Sequence, residues 1–227
     1  MKFNNPFKDL TRFELSLWLA SVCAIIISAV LSGNIDWLNT IASLIGVTAL
    51  IFLAKGYVIG QVLTVIFSVF YGIISFCFRY YGEMITYLFM TTPMAIISII
   101  SWVKHPYKET KEVEVNQVTR KQIALMIVLA IITTTAFYFI LSALDNANIL
   151  FSTISITTSF IASYLTFLRS PYYAIGYAAN DLVLIVLWSL ASLESISYLP
   201  MLVCFVMFFF NDIYGFVSWR RMQKRQI

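Results

Sequence analysis

Eight apolar runs, each long enough to cross a bilayer as a helix, take up most of the chain and leave little else to fold. They lie at about Glu14–Leu31, Trp37–Ala54, Tyr57–Phe78, Glu83–Trp102, Gln122–Leu144, Ile149–Leu168, Tyr172–Ala191 and Ser195–Trp219. A spanning helix needs roughly 20 mostly apolar residues, because the hydrocarbon layer is about 30 Å thick. The alternating strands of a membrane barrel are absent from the sequence. The expected fold class is therefore an all-α polytopic membrane protein with eight transmembrane helices. Composition agrees: 60% of the 227 residues are apolar and 11% are charged, against about 25% charged in a soluble domain. That excludes a cytosolic enzyme, a nucleic-acid-binding module and a disordered chain. Cys23, Cys77 and Cys204 each fall in an apolar run and read as small buried hydrophobes rather than as a disulfide framework. The first run follows Lys2, Lys8 and Arg12, as the core of a signal peptide would, but its length and the seven runs after it mark it as a span.

The basic residues orient the chain. Fourteen of the 15 Lys and Arg residues fall in the two termini or in the links after the second, fourth and sixth runs; Arg79 alone lies on the other side. The positive-inside rule then puts both termini in the cytoplasm, and it accounts for the net charge of +4. The longest polar stretch, Val103–Lys121, is too short for a domain, and the sequence has no phosphate-binding glycine loop.

The chain also resembles itself. At a shift of 117 residues Tyr81 meets Tyr198, Met84 meets Met201 and Ser101-Trp102 meets Ser218-Trp219; at 116, Tyr57 meets Tyr173 and Gly60 meets Gly176; at 115, Phe52-Leu53 meets Phe167-Leu168. Spans 2–4 are thereby matched to spans 6–8. The fifth span restores the chain direction, so the two trios run parallel, a transporter plan that puts the site near the bilayer midplane between them. The expected organisation is 1 + (3+1+3): residues 1–35 as N-terminal tail and extra helix, 36–103 as a first three-helix bundle, 104–147 as cytoplasmic loop and linker helix, and 148–227 as a second bundle with a basic tail.

Polar side chains inside a span must face protein or water, since an unpaired one in lipid costs several kcal/mol. The third span carries Tyr57, Gln61, Thr64, Ser68, Tyr71 and Ser75 at steps of three and four, one face of a helix. The seventh carries Tyr173, Tyr177, Asn180, Leu184 and Trp188 on one face, with Asp181 beside it. These two stripes mix aromatics with amides and hold matching places in the trios, so they are the expected walls of a midplane cavity. The eighth span adds Asn211 and Tyr214, with Asp212 adjacent. The sixth, with Ser152, Ser155, Ser159, Ser163 and Thr166, reads as close helix packing. Pro93 in the fourth reads as a kink. Asp181 and Asp212 are intramembrane acids and functional candidates by default: Asp181 stands open between a substrate contact, a packing hydrogen bond and a proton site, whereas Asp212 reads as structural. His105 has no partners at ligand spacing, so no metal is expected, and no nucleophile and base are paired. The chain reads as no enzyme and needs no cofactor.

Three segments, Met90–Lys104, Ser170–Asp181 through Trp188, and Asn211–Trp219, resemble the PnuC family of bacterial vitamin transporters, and the resemblance extends from about Trp37 to Arg221. It implies a SWEET-like pair of three-helix bundles joined by a linker helix. It further implies import of nicotinamide riboside (vitamin B3) into NAD biosynthesis by facilitated diffusion, made one-way by a cytoplasmic riboside kinase. Asn211-x-x-Tyr214 resembles a motif of that family. On the stripes, the expected substrate-binding residues are Gln61, Thr64, Ser68, Tyr71, Tyr173, Tyr177, Asn180, Asp181, Trp188, Asn211 and Tyr214, with aromatic faces for a cationic ring, amides for carboxamide and ribose, and Asp181 as counter-charge. The expected partners are the riboside, the bilayer and, functionally, the kinase; a homo-oligomer is compatible and nucleic acid is not expected. Thiamine, another vitamin or a sugar, with or without proton coupling, and a membrane enzyme or assembly factor are the alternatives.

Overall fold

The structure, a computed structural model, describes residues 5–33, 35–77, 80–144, 146 and 148–227. Lys2 and Arg79, which enter the orientation argument, lie outside the described residues. Eight helices are long and apolar enough to cross a membrane: α1 (Arg12–Leu31), α2 (Trp37–Ala54), α3 (Val58–Cys77), α4 (Tyr81–Lys104), α5 (Arg120–Ala143), α6 (Ile149–Phe167), α7 (Tyr173–Glu194) and α8 (Leu199–Gln226). Their starts are written in the sequence. Thr11 and Glu14 form a capping box at α1, Thr119 and Gln122 form another at α5, and the Asp36 carboxylate accepts from the first amides of α2. Inside α4 the turn Thr86–Thr91 is a π-helix directly before Pro93. Proline supplies no N–H and crowds the preceding turn, and the widened turn takes up that strain.

Six helices close a ring. In order around it, α2 packs on α3, α3 on α4, α4 on α6, α6 on α7, α7 on α8, and α8 back on α2. The trios α2–α4 and α6–α8 thus join through the first helix of one and the last helix of the other, at both seams. Outside the ring, α1 covers α2 and α8, and α5 touches α6. Only 6% of α5 is covered by protein, against 67% of α2, so α5 presents Ile127, Val128, Ile131 and Ile132 outward. Outward faces also hold two of the cysteines: Cys204 is buried as expected, but Cys23 and Cys77 are exposed, because an apolar run in a membrane protein is apolar toward lipid as well as toward the core.

The ends of α2 and α6 share one geometry. Gly56 (φ +67°) and Arg169 (φ +57°) both adopt the left-handed conformation that closes a helix in a Schellman turn. Gly56 N donates to Leu53 O and Tyr57 N to Phe52 O; Arg169 N donates to Thr166 O and Ser170 N to Leu165 O. A buried indole caps each turn, with Trp219 Nε1 at 2.7 Å from Leu53 O and Trp102 Nε1 at 3.0 Å from Thr166 O. This corner pairs Phe52-Leu53 with Leu165-Thr166, two residues earlier than the Phe167-Leu168 match read from sequence. The segment Ser170–Tyr172 is extra chain between the second corner and α7, and a shift counted on identical letters slides past it.

The stretch after α4 is a strap across this end of the ring. Val113 N donates to Gly56 O at 2.9 Å, and Asn116 N to Arg169 O at 3.1 Å. The strap therefore touches both corners at the same backbone position. Arg225 pairs with Glu112, Lys111 with Asp9, and Gln226 holds Val113 and Val115.

Candidate functional site

The polar face of α7 runs the depth of the ring and changes character along it. At the strap end Tyr173 packs on Trp219 and belongs to an apolar cluster with Trp102, Leu53 and Val113. At the far end Trp188 Nε1 donates to the Tyr71 hydroxyl at 3.0 Å, in a cluster with Tyr87 and Phe205. Between these aromatic plugs lies a cavity of about 50 Å³ whose walls come from α2, α3, α4, α7 and α8. That is room for a few waters and well below the roughly 300–1,000 Å³ of a ligand pocket.

Its polar lining is Thr64, Tyr87, Thr91, Tyr177, Asn180, Asp181 and Asp212; its rings are Phe67, Tyr87, Tyr177 and Phe208. Asn180 Oδ1 accepts from the Ser155 hydroxyl at 3.0 Å and from that of Thr158 at 3.0 Å, which shares its one hydrogen with the Ile154 and Ser155 carbonyls. That leaves the Nδ2 donor available to the cavity. Tyr177 and Ser163 hydrogen-bond at 3.1 Å. Asp181 on α7 and Asp212 on α8 both line the cavity. Asp181 Oδ2 and Thr91 Oγ1 are buried with no hydrogen-bond partner. No Lys, Arg or His stands among the described lining residues.

Of the residues expected from sequence, the structure brings Thr64, Tyr177, Asn180 and Asp181 to the cavity. Gln61 lies one turn from Thr64, 1% exposed, with its Nε2 unpartnered. Ser68 folds its hydroxyl back onto Thr64 O at 2.6 Å. Tyr71 and Trp188 form the far plug, and Tyr173 sits in the near one. Asn211 and Tyr214 turn away altogether: Asn211 Nδ2 donates to Ser21 Oγ on α1 at 3.0 Å, and the Tyr214 hydroxyl to Glu14 Oε1 at 2.9 Å. The cavity instead takes the residues beside them, Phe208 and Asp212. Each helical residue advances about 100°, so Asp212 and Phe208 share a face that Asn211 and Tyr214 do not. Sequence reasoning passed over Tyr87 and Thr91 as cavity groups and weighted Asp212 toward structure; the signal for Asp212 was its charge inside a span. It also missed Glu83, 1% exposed near the far end of α4 with both carboxylate oxygens unpartnered. Taking the fourth run to begin at that residue hid that α4 starts at Tyr81.

Charges at the strap are ordinary surface chemistry by comparison. The Lys111 hydrogen bond holds the Asp9 carboxyl below its usual value, and burial, with Asp9 nearby, pushes the Tyr57 phenol up to about 12.

A ring of two helical trios around a buried, partly unsatisfied polar cavity has the form of a small-molecule carrier, and relatives bear on it directly. The family profile described as "Nicotinamide mononucleotide transporter" matches residues 36–221. The chain belongs to this family. The chain is similar to the nicotinamide riboside transporter PnuC of Neisseria mucosa, 27% identical over 96% of this chain and 85% of the relative, and to that of Haemophilus influenzae, 22% identical over 94% and 92%. A crystal structure of the vitamin B3 transporter PnuC superposes with a TM-score of 0.83 at 25% identity, over 96% of this chain and 94% of that one. The protein is thus a PnuC-family membrane transporter and not an enzyme.

Proposed function

We propose that this protein carries nicotinamide riboside across the bacterial cytoplasmic membrane, with both termini in the cytoplasm. The family description speaks of the mononucleotide and the named relatives of the riboside. One observation favours the riboside: the cavity is lined by two carboxyls and no base among the described residues. A phosphate dianion placed there would meet like charge and find no Arg or Lys fork. A riboside offers a cationic ring, a carboxamide and ribose hydroxyls, for which the rings, Asn180 and Tyr177, and Gln61 once the lining spreads, are suitable partners.

At about 50 Å³ the cavity is too small for a nucleoside, so binding requires the surrounding packing to part. We read the trios as a parallel repeat that rocks about this centre; the matching helix-end turns and the shared indole caps support that reading. Transport is facilitated diffusion, drawn inward by a kinase that removes the riboside as its phosphate. The test uses purified protein in liposomes with labelled riboside and no ion gradient. Internal and external riboside should equalise without accumulation, and unlabelled mononucleotide should not compete. Accumulation driven by an imposed pH gradient, or competition by the mononucleotide, would refute this account.

A further inference from the structure

Asp181 and Asp212 come from different helices and line the same cavity, each 3% exposed. A packing hydrogen bond would consume their oxygens, yet Asp181 Oδ2 has no partner. Independently, Thr91 Oγ1 on the opposite wall, 4% exposed, also has none. Nothing basic lines the cavity among the described residues to offset the pair. Two carboxyls side by side in a dry site are relieved by one shared proton or by a cation. Four rings border the same space, and ring faces attract planar cations.

We propose that Asp181 and Asp212 form a charge selector, which makes the cavity take a solute bearing a fixed positive charge and reject its uncharged counterpart of the same shape. The inference rests on the riboside reading and adds to it which feature of the riboside is read. Hydrogen bonding to carboxamide and ribose would serve a neutral ring equally well; the rings favour a cation weakly, and the acid pair is the one charged element of the lining that distinguishes the two. Asp212 becomes a specificity-determining residue on this account rather than a packing one. An Asn at either position keeps shape and hydrogen-bonding capacity while removing the charge.

The experiment compares two ligands on the full chain in detergent by calorimetry: nicotinamide riboside, and its 1,4-dihydro form, in which one added hydride on the ring abolishes the charge and leaves the skeleton intact. The unaltered protein should bind the cation at least tenfold more tightly. Asp181→Asn and Asp212→Asn should each move that ratio toward one, by weakening the cation and not the neutral form. Equal binding of both ligands by the unaltered protein would overturn the selector while leaving the carrier reading in place, and it requires no variant to fold. An undiminished ratio in the double Asn variant would overturn it as well. Binding of neither form would remove the riboside reading and the selector together.

Discussion

Asn180 shows how a single side chain is prepared for binding. Its oxygen is fixed by Ser155 and Thr158, so its amide nitrogen points where a ligand acceptor can use it. Asn180→Ala should weaken riboside binding by about 1–3 kcal/mol, the usual cost of an unsatisfied partner. Ser155→Ala should cost under about 1 kcal/mol, since Thr158 still holds the oxygen; titration calorimetry on both variants checks the pair. The serine row of α6 is therefore only partly a packing device, and that was not legible from spacing, because Ser155 acts through a neighbour 25 positions away. At the strap, the depressed Asp9 carboxyl implies an acid-sensitive contact. A group whose folded value lies below its ordinary 3.8 supports the fold above that value and ceases to as pH falls through the folded one. Lys111→Met should therefore lower the melting temperature slightly at neutral pH and not at all near pH 2, when both forms are followed by scanning fluorimetry.

At the scale of helices, two glycines set how closely neighbours approach. A Cβ at Gly60 would lie 2.6 Å from the Leu53 backbone nitrogen, and one at Gly176 would lie 2.9 Å from the Ala162 Cα; at Gly215 the nearest atom is 3.6 Å away. Backbone cannot yield as a side-chain tip does. Gly60→Ala and Gly176→Ala should each destabilise by roughly 1–3 kcal/mol, whereas Gly215→Ala should be tolerated, as thermal unfolding in detergent will show. The number, order and approximate ends of the helices were legible in the sequence because length, hydropathy and capping are local properties. Rotation about each axis was not. The Asn211-x-x-Tyr214 spacing says that those two side chains share a face; it cannot say that α1 rather than the cavity lies opposite. In a soluble helix the polar stripe marks water, but in a membrane helix it marks any protein neighbour, so α1, which the sequence presents as an appendage, captured two residues expected at the centre. On α7 the stripe did turn inward, yet only its middle reaches the cavity, because aromatic packing claims both ends.

The molecule as a whole is a closed ring with unlike ends. Among the described residues, the far plug is made of side chains, those of Tyr71, Trp188 and their neighbours. The near plug is backed by the strap, whose Val113 is 1% exposed. Arg225→Ala removes one exposed ion pair worth about 0.2–1 kcal/mol. It should speed amide hydrogen exchange at Val113 and Val115 by a few-fold and leave α7 unchanged, as mass spectrometry would resolve. A uniform rise over the whole chain would mean that the pair supports the fold and not the strap.

Because Val113 and Asn116 are fastened to matching carbonyls on the two trios, the doorway on that side cannot swing as two independent leaves. It unbuckles or it stays shut. The opposite end has no such strap among the described residues and is closed by side-chain packing around Tyr71 and Trp188, so it is free to loosen by degrees.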